Sequence, residues 1–236
     1  MKILGIDTST KYCNLSLIED EDVLINYTIN DLRKKHSSIL IPAIEDLFKA
    51  INLKVEEING IAVSIGPGSF TGIRIGLGVA KGLSYACSLP LLGISTLEAM
   101  AFPLVGIPHL ICPISESKKD EIYDVVFRGG ESLHKIMDYK CEDIHSLLFR
   151  LSPLKEKIIF IGNGIKKYRD NIKVKVGKDA WFIDSQINLL MAANIAFLGL
   201  SKLKRKEEDD IANLSPFYLR KSEAEIVWEK KVINHD

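Results

Sequence analysis

Apolar runs of two kinds alternate along this chain, short ones of strand period and longer ones of helical period, and the same order occurs twice. Ile3 to Asp7, Asn14 to Glu19 and Val23 to Thr28 read as three short strands joined by polar turns, a β-meander. From Lys35 the period lengthens, so that Leu40, Ala43, Ile44, Leu47 and Phe48 share one helical face until Asn52 closes it. Ile61 to Ile65 is a buried strand, a glycine-rich helix follows from near Gly72, and Ser88-Leu89-Pro90 stops it. Leu91 to Ile94 is a further strand, and Ser95 caps a helix that runs to about Phe102.

After Pro103 the order starts again. Leu110 to Ile114, Ile122 to Phe127 and Ser132 to Asp138 predict three strands, Glu142 to Arg150 a helix, and Ile158 to Ile161 a strand ending in Gly162-Asn163-Gly164. Gln186 to Lys204 predicts a long helix, Lys204 to Asp210 a solvated connection, and Pro216 to Arg220 a strand-like tail. Three antiparallel strands followed by alternating helix and strand, twice over, imply an α/β protein built by duplication, with mixed sheets flanked by helices. The boundary falls at Pro103, dividing the chain into 1–103 and 104–236.

The densest stretch is the run from Gly66 to Gly82. Gly66-Pro67-Gly68-Ser69-Phe70-Thr71-Gly72 must turn sharply out of a strand, and Ser69 or Thr71 can cap the helix that carries Arg74, Gly76, Gly78 and Gly82. Exposed amides at a helix start suit an anion, while the same glycines also permit close packing of helix on strand or helix on helix. The spacing matches neither a P-loop, since no GxxxxGK[ST] occurs, nor a dinucleotide fingerprint, since Thr71 stands where a glycine is required. Each glycine inside the helix costs about 1 kcal/mol of propensity, which tertiary contacts must offset.

Composition narrows the function classes. Lys plus Arg equal Asp plus Glu at 31 each, which argues against gripping nucleic acid by bulk charge. Cys13, Cys87, Cys112 and Cys141 lie far apart with no CxxC, so neither a zinc site nor a disulfide framework is expected. Neither a signal peptide nor an apolar stretch long enough to span a membrane is expected, which predicts a cytoplasmic protein. Among the five histidines, His36, His109, His134, His145 and His235, none pair at i and i+4. Asp7, ending the first strand, can cap the turn Thr8-Ser9-Thr10 with its side chain.

Ile3-Leu4-Gly5-Ile6-Asp7-Thr8-Ser9, His36-Ser37 with Leu40-Ile41-Pro42, the Gly66 to Gly76 run, and Glu121-Ile122-Tyr123 together resemble the TsaB family, also called YeaZ. The resemblance implies tandem actin-like ATPase domains of the ASKHA, RNase H-like class. It also implies a role in forming N6-threonylcarbamoyladenosine at position 37 of tRNAs reading codons that begin with A. In that family the catalyst is a paralogue, TsaD, whose His-x-x-x-His pair holds a metal. Aligned on that pair, this chain has Thr96 and Met100, a hydroxyl and a thioether in place of two imidazoles, so no metal and no catalytic residue are expected. The actin-like resemblance makes Asp7, the carboxylate that would hold nucleotide-bound Mg²⁺ through water, and Thr8 a vestigial nucleotide site, with no cofactor beyond weak ATP binding.

The resemblance further implies a TsaD-like partner, a TsaE-like ATPase reached through the complex, tRNA touched indirectly, a weak homodimer in the partner's absence and no membrane. The partner-facing surface is expected on the helices Lys35 to Ile51 and Gly72 to Ala86, at His36, Leu40, Ile44, Leu47, Gly76, Gly78, Val79 and Gly82. His36 has a plainer reading too, as a polar group at a helix end. The family's first hairpin in its second half usually reads Asp-Ala-Arg, then Gly-Glu-Val-Tyr two residues on. Here the acid is Glu116, the arginine Lys118 and the turn glycine Asp120. A stand-alone ATP-dependent kinase or a glycoprotease-like hydrolase of the same fold is the rival reading.

Overall fold

The computed structural model of the chain describes residues 1–30, 35–118, 120–183, 191–221 and 225. β1 (Lys2–Asp7) lies at the centre of the first sheet, antiparallel to β2 (Cys13–Glu19) and parallel to β4 (Gly60–Gly66). β3 (Asp22–Ile29) and β5 (Leu91–Ser95) form the edges, giving the order β3-β2-β1-β4-β5. The second sheet repeats this plan. β6 (Leu110–Glu116) is flanked by antiparallel β7 (Glu121–Arg128) and parallel β9 (Ile158–Ile161), with β8 (His134–Asp143) and β10 (Ala180–Ile183) outside. Two sheets of identical order make the duplication explicit, and with their flanking helices they form the actin-like architecture.

The helices cover these sheets. α1 (His36–Ala50) and α2 (Phe70–Cys87) pack on the first, burying Leu40, Ala43, Ile44, Leu47 and Phe48 from α1 and Ile73, Leu77 and Ala80 from α2. α4 (Ile144–Leu151) and α5 (Ile165–Val176) cover the second through Leu147, Leu148, Tyr168 and Ile172. The remaining two cross over. α3 (Thr96–Ala101), which follows β5, packs on β6 and β7, and α6 (Met191–Lys204), which follows β10, packs on β1, β2 and β4. Small residues permit α6 to lie so close: a Cβ on Gly5 would sit 2.0 Å from the Ala192 carbonyl oxygen, and one on Gly199 would sit 2.5 Å from the Ala62 Cβ. One apolar core therefore joins Ile3, Ala62 and Leu92 to Ile111, Val125 and Ile161 through α3 and α6.

Several expectations need correction. Glu142 and Asp143 are the end of β8 rather than a helix start, because the Asp143 carboxylate accepts hydrogen bonds from the amides of His145 and Ser146 and so caps α4. β8 begins at His134, not Ser132. α2 begins at Phe70, two residues early, since Ser69 is its cap. α5 and β10 were not predicted at all. Lys204 still belongs to α6, and Asp209 beyond it turns inward to accept from the Gly93 amide and the Lys202 ammonium, so this connection is not simply solvated. Pro216 to Arg220 adds no strand: its tie to the first sheet is one backbone bond, Phe217 N–H to Ile65 oxygen. The part of the predicted helix from 186 to 190 lies outside the described residues.

Candidate functional site

The end of β1 and the start of α2 form one unit. Asp7 is buried, and its carboxylate accepts from the Ser9 amide at 3.0 Å, the Ser9 hydroxyl at 2.6 Å and the Asn14 amide nitrogen at 3.1 Å. This is a turn-capping arrangement within residues 7 to 14. Thr8 is buried beside it and donates its hydroxyl to the Gly72 carbonyl at 2.7 Å. A Cβ on Gly72 would lie 2.0 Å from the Thr8 oxygen, one on Gly68 2.4 Å from the Ser9 oxygen, and one on Gly76 2.2 Å from the Thr8 hydroxyl. These three glycines serve close approach of α2 to the first turn. Gly66 does something else: at φ +114 it sits where L side chains are strained, and it opens the loop through Pro67.

Two of the loop amides are engaged within the chain. Ser69 donates its amide to the Ser9 carbonyl at 2.7 Å, and its hydroxyl accepts from the Gly72 amide at 3.2 Å. Phe70 stacks on Tyr218 of the tail with ring centroids 4.5 Å apart, and Arg74 donates from Nε to the Tyr218 hydroxyl at 2.6 Å. Thr71 stands exposed at the first turn.

Beside this loop a cleft of about 920 Å³ opens between the halves. The β1–β2 turn presents Lys11 to it, the β6–β7 turn Lys118, α5 Lys166 and the tail Arg220, with Glu116 as the acid among them. Arg220 is held by Glu121 at 2.7 Å. The excess of cations suits an anionic group. His36 reaches the cleft from the start of α1, its Nε2 lying 3.2 Å from the Tyr12 carbonyl oxygen. In the hairpin, Asp120 takes φ +65, which explains why a glycine suits that turn, and its carboxylate pairs with Lys167.

The expected partner-facing residues separate into two groups. Leu40, Ile44 and Leu47 point into the first-half core and Gly76 is closed by Thr8, so none of these four is open to a partner. The apolar period that singles them out marks the buried stripe of an amphipathic helix. Gly78 and Gly82 are different. Both are exposed, nothing lies within 4 Å of a Cβ built on either, and half-buried Val79 lies between them. Two large apolar residues missed by the period are also exposed on these two helices, Ile41 of α1 at 61% and Tyr85 of α2 at 80%. Their signal was available as large apolar side chains falling off the buried stripe.

Thr96 and Met100 lie on α3, both buried, and the Thr96 hydroxyl has no hydrogen-bond partner among the described residues. A hydroxyl and a thioether in an apolar layer are a poor donor set for a borderline or hard cation. Among the described residues no three His, Cys, Asp or Glu side chains are placed to hold a metal ion, and no helix is long and apolar enough to cross a membrane.

Residues 23–228 match the family model of TsaD, tRNA N6-adenosine threonylcarbamoyltransferase. The chain is 31% identical to the tRNA threonylcarbamoyladenosine biosynthesis protein TsaB of Bacillus subtilis, across 97% of this chain and 98% of that protein. It is 26% identical to TsaB of Escherichia coli across 98% of both. Among solved structures, YeaZ from Pseudomonas aeruginosa superposes with a TM-score of 0.73 at 22% identity, covering 92% of this chain and 99% of that one.

Proposed function

The chain belongs to the TsaD family, within which it matches TsaB along its length, and on that premise we propose that it is a noncatalytic subunit supporting a TsaD-like paralogue. Its role is in tRNA threonylcarbamoyladenosine biosynthesis. The observation that carries this reading is the match to B. subtilis TsaB over 97% of the chain, which leaves no half of it unaccounted for. The noncatalytic part of the reading is supported by Thr96 and Met100, whose buried side chains suit packing better than metal binding. Asp7 supports it as well, since both its oxygens are engaged in holding the first turn.

The proposed partner surface is the outer strip of α1 and α2, keeping His36, Gly78, Val79 and Gly82 from the sequence reading and adding Ile41 and Tyr85. Glycines with open space above them admit a second helix at short range, and the exposed aromatic gives it something apolar to bury. The loop from Gly66 to Gly72 with Arg74 buttresses the N-terminal end of this strip. The same strip accounts for a weak homodimer when no partner is present. A TsaE-like ATPase would join through the complex, tRNA would be engaged mainly by the paralogue, and the division into 1–103 and 104–236 describes the two sheet units, with α6 serving the first. All of this takes place in the cytoplasm.

The test is omission. The other components of the pathway are combined with ATP, threonine, bicarbonate and tRNA, with and without this chain, and the modified nucleoside is quantified by mass spectrometry. Product should collapse without the chain, and the chain alone should make none. Unchanged product on omission would overturn the assignment, and product from the chain alone would overturn its noncatalytic part.

A further inference from the structure

A second cavity, of about 530 Å³, lies between α3, the turn entering β8 and the C-terminal half of α6, and shares no residue with the cleft beside the glycine-rich loop. Its wall is apolar at Ile94, Phe102, Val105, Leu133 and Leu198. Into this setting α3 places a carboxylate, Glu98. Ser95 fixes the backbone there by capping the helix, yet among the described residues the Glu98 carboxylate makes no hydrogen bond or ion pair. The two nearby cations are occupied elsewhere. Lys202 binds Asp209 at 2.8 Å and the Gly93 carbonyl at 3.3 Å, and Arg205 binds Glu207 through two nitrogens at 2.8 and 2.9 Å. Burial pushes the Glu98 carboxyl above its usual range even though Lys202 and Arg205 pull it down.

A half-buried acid with no direct hydrogen bond or ion pair among the described residues, at the side of a cavity of mixed polar and apolar lining, has room for a cation closer than Lys202 and Arg205 come. The other end of such a ligand is indicated by Arg205. Its pair with Glu207 is exposed on both sides, 58% and 50%, so it contributes little and exchanges readily for another carboxylate. Ser132, Ser201 and a further acid, Glu131, complete the polar lining, so that with Glu98 and Glu207 three carboxylates face Lys202 and Arg205, a balance that favours a ligand carrying an ammonium. We propose that this cavity binds a free apolar α-amino acid, with its ammonium on Glu98, its carboxylate on Arg205 and its side chain against Phe102, Val105 and Leu133. This site is independent of the proposed role in tRNA modification.

Titration calorimetry on the full chain at pH 8 tests it with three probes. L-leucine carries both charges, 4-methylpentanoate lacks the ammonium and 3-methylbutylamine lacks the carboxylate. Leucine should bind about tenfold more tightly than either analogue, the loss expected for one charge-assisted hydrogen bond. Glu98→Gln should weaken leucine by a similar factor, and Arg205→Ala should abolish its advantage over 3-methylbutylamine. Affinity should also fall as the pH drops and Glu98 takes up a proton. Equal binding of leucine and 4-methylpentanoate, an unaltered affinity in Glu98→Gln, or no heat at leucine concentrations on the order of 10 mM would overturn the proposal. Should Glu98→Gln fail to fold, the comparison of the three probes on the natural chain decides it.

Discussion

Asp124 is the residue whose surroundings bear most on stability. It sits inside β7, fully buried, with one oxygen on the Arg150 guanidinium and the other without a hydrogen-bond partner among the described residues. Arg150 is shared, since Glu142 also binds it at 2.8 Å through Nε. One cation against two carboxylates leaves the more buried acid undercompensated. Burial is the main cause, and with Glu142 it outweighs Arg150, raising the Asp124 carboxyl from 3.8 to about 7. The neighbouring Cys112 thiol is pushed well above its usual range by the same burial.

The sign of the consequence follows from proton binding. Between pH 4 and 7 the folded chain holds a proton on Asp124 that the unfolded chain has lost, so this group's stabilisation is complete at low pH and is lost as pH rises through 7. The expected loss is on the order of a few kcal/mol. Asp124→Asn, which keeps the shape and leaves Arg150 to Glu142, should lose less stability than the natural chain between pH 5 and 8. Urea unfolding at both pH values checks this, and parallel pH profiles for the two proteins would contradict it. Nothing in the sequence marked the position. It is one acid in an apolar run, and its partner Arg150 lies 26 residues on.

At the scale of the element, α2 carries glycines of two kinds, and alanine substitution separates them. Gly72 and Gly76 meet Thr8 at 2.0 and 2.2 Å from a built Cβ, so Gly72→Ala or Gly76→Ala must push α2 away from the first turn and should cost about 1–3 kcal/mol. Gly78 and Gly82 meet nothing. Gly78→Ala and Gly82→Ala should each stabilise the isolated chain by about 1 kcal/mol, the difference in helix propensity. If the strip is the partner surface, the same two changes should weaken the complex. Chemical denaturation and calorimetric titration with the paralogue read the two effects apart, and stabilisation with unaltered partner affinity would remove these glycines from the interface.

This division also shows what the sequence can reveal. The period of Leu40, Ile44 and Leu47 located α1 correctly, and for that same reason it pointed to the core rather than to a partner. Elements were missed where the apolar signal is thin. α5 buries only Ile165, Tyr168 and Ile172 among lysines and an arginine, and β10 is a four-residue edge strand. The loop was legible in its residues but not in its purpose: no local pattern tells that Gly72 and Gly76 face Thr8, a contact spanning more than sixty positions. The same holds for Glu98, whose cavity is assembled from α3, α6 and the turn before β8.

Across the whole molecule, the exchange of α3 and α6 decides how the two halves behave. Each sheet is covered on its inner side by the helix that follows the other sheet, and Asn194 of α6 donates to the Ala99 carbonyl of α3 at 3.0 Å where the two helices meet. The tail adds a second tie, with Phe217 bonded to β4 while its ring packs edge-on against Tyr139 of β8 at 5.2 Å. A segment ending at 103 would therefore leave Gly5, Ala62 and Leu92 uncovered, and neither half owns a complete core. Heat should then unfold the chain in one transition, with calorimetric and van't Hoff enthalpies equal. Ala196→Leu sharpens the test. This side chain lies against Gly5 across the α6–β1 contact, so overpacking there should cost about 1–3 kcal/mol. Because the shared core transmits that cost to both sheets, the single transition should move to lower temperature as a whole. A split into two transitions, with the second half melting where it did before, would mean that each half is stable without the other's helix.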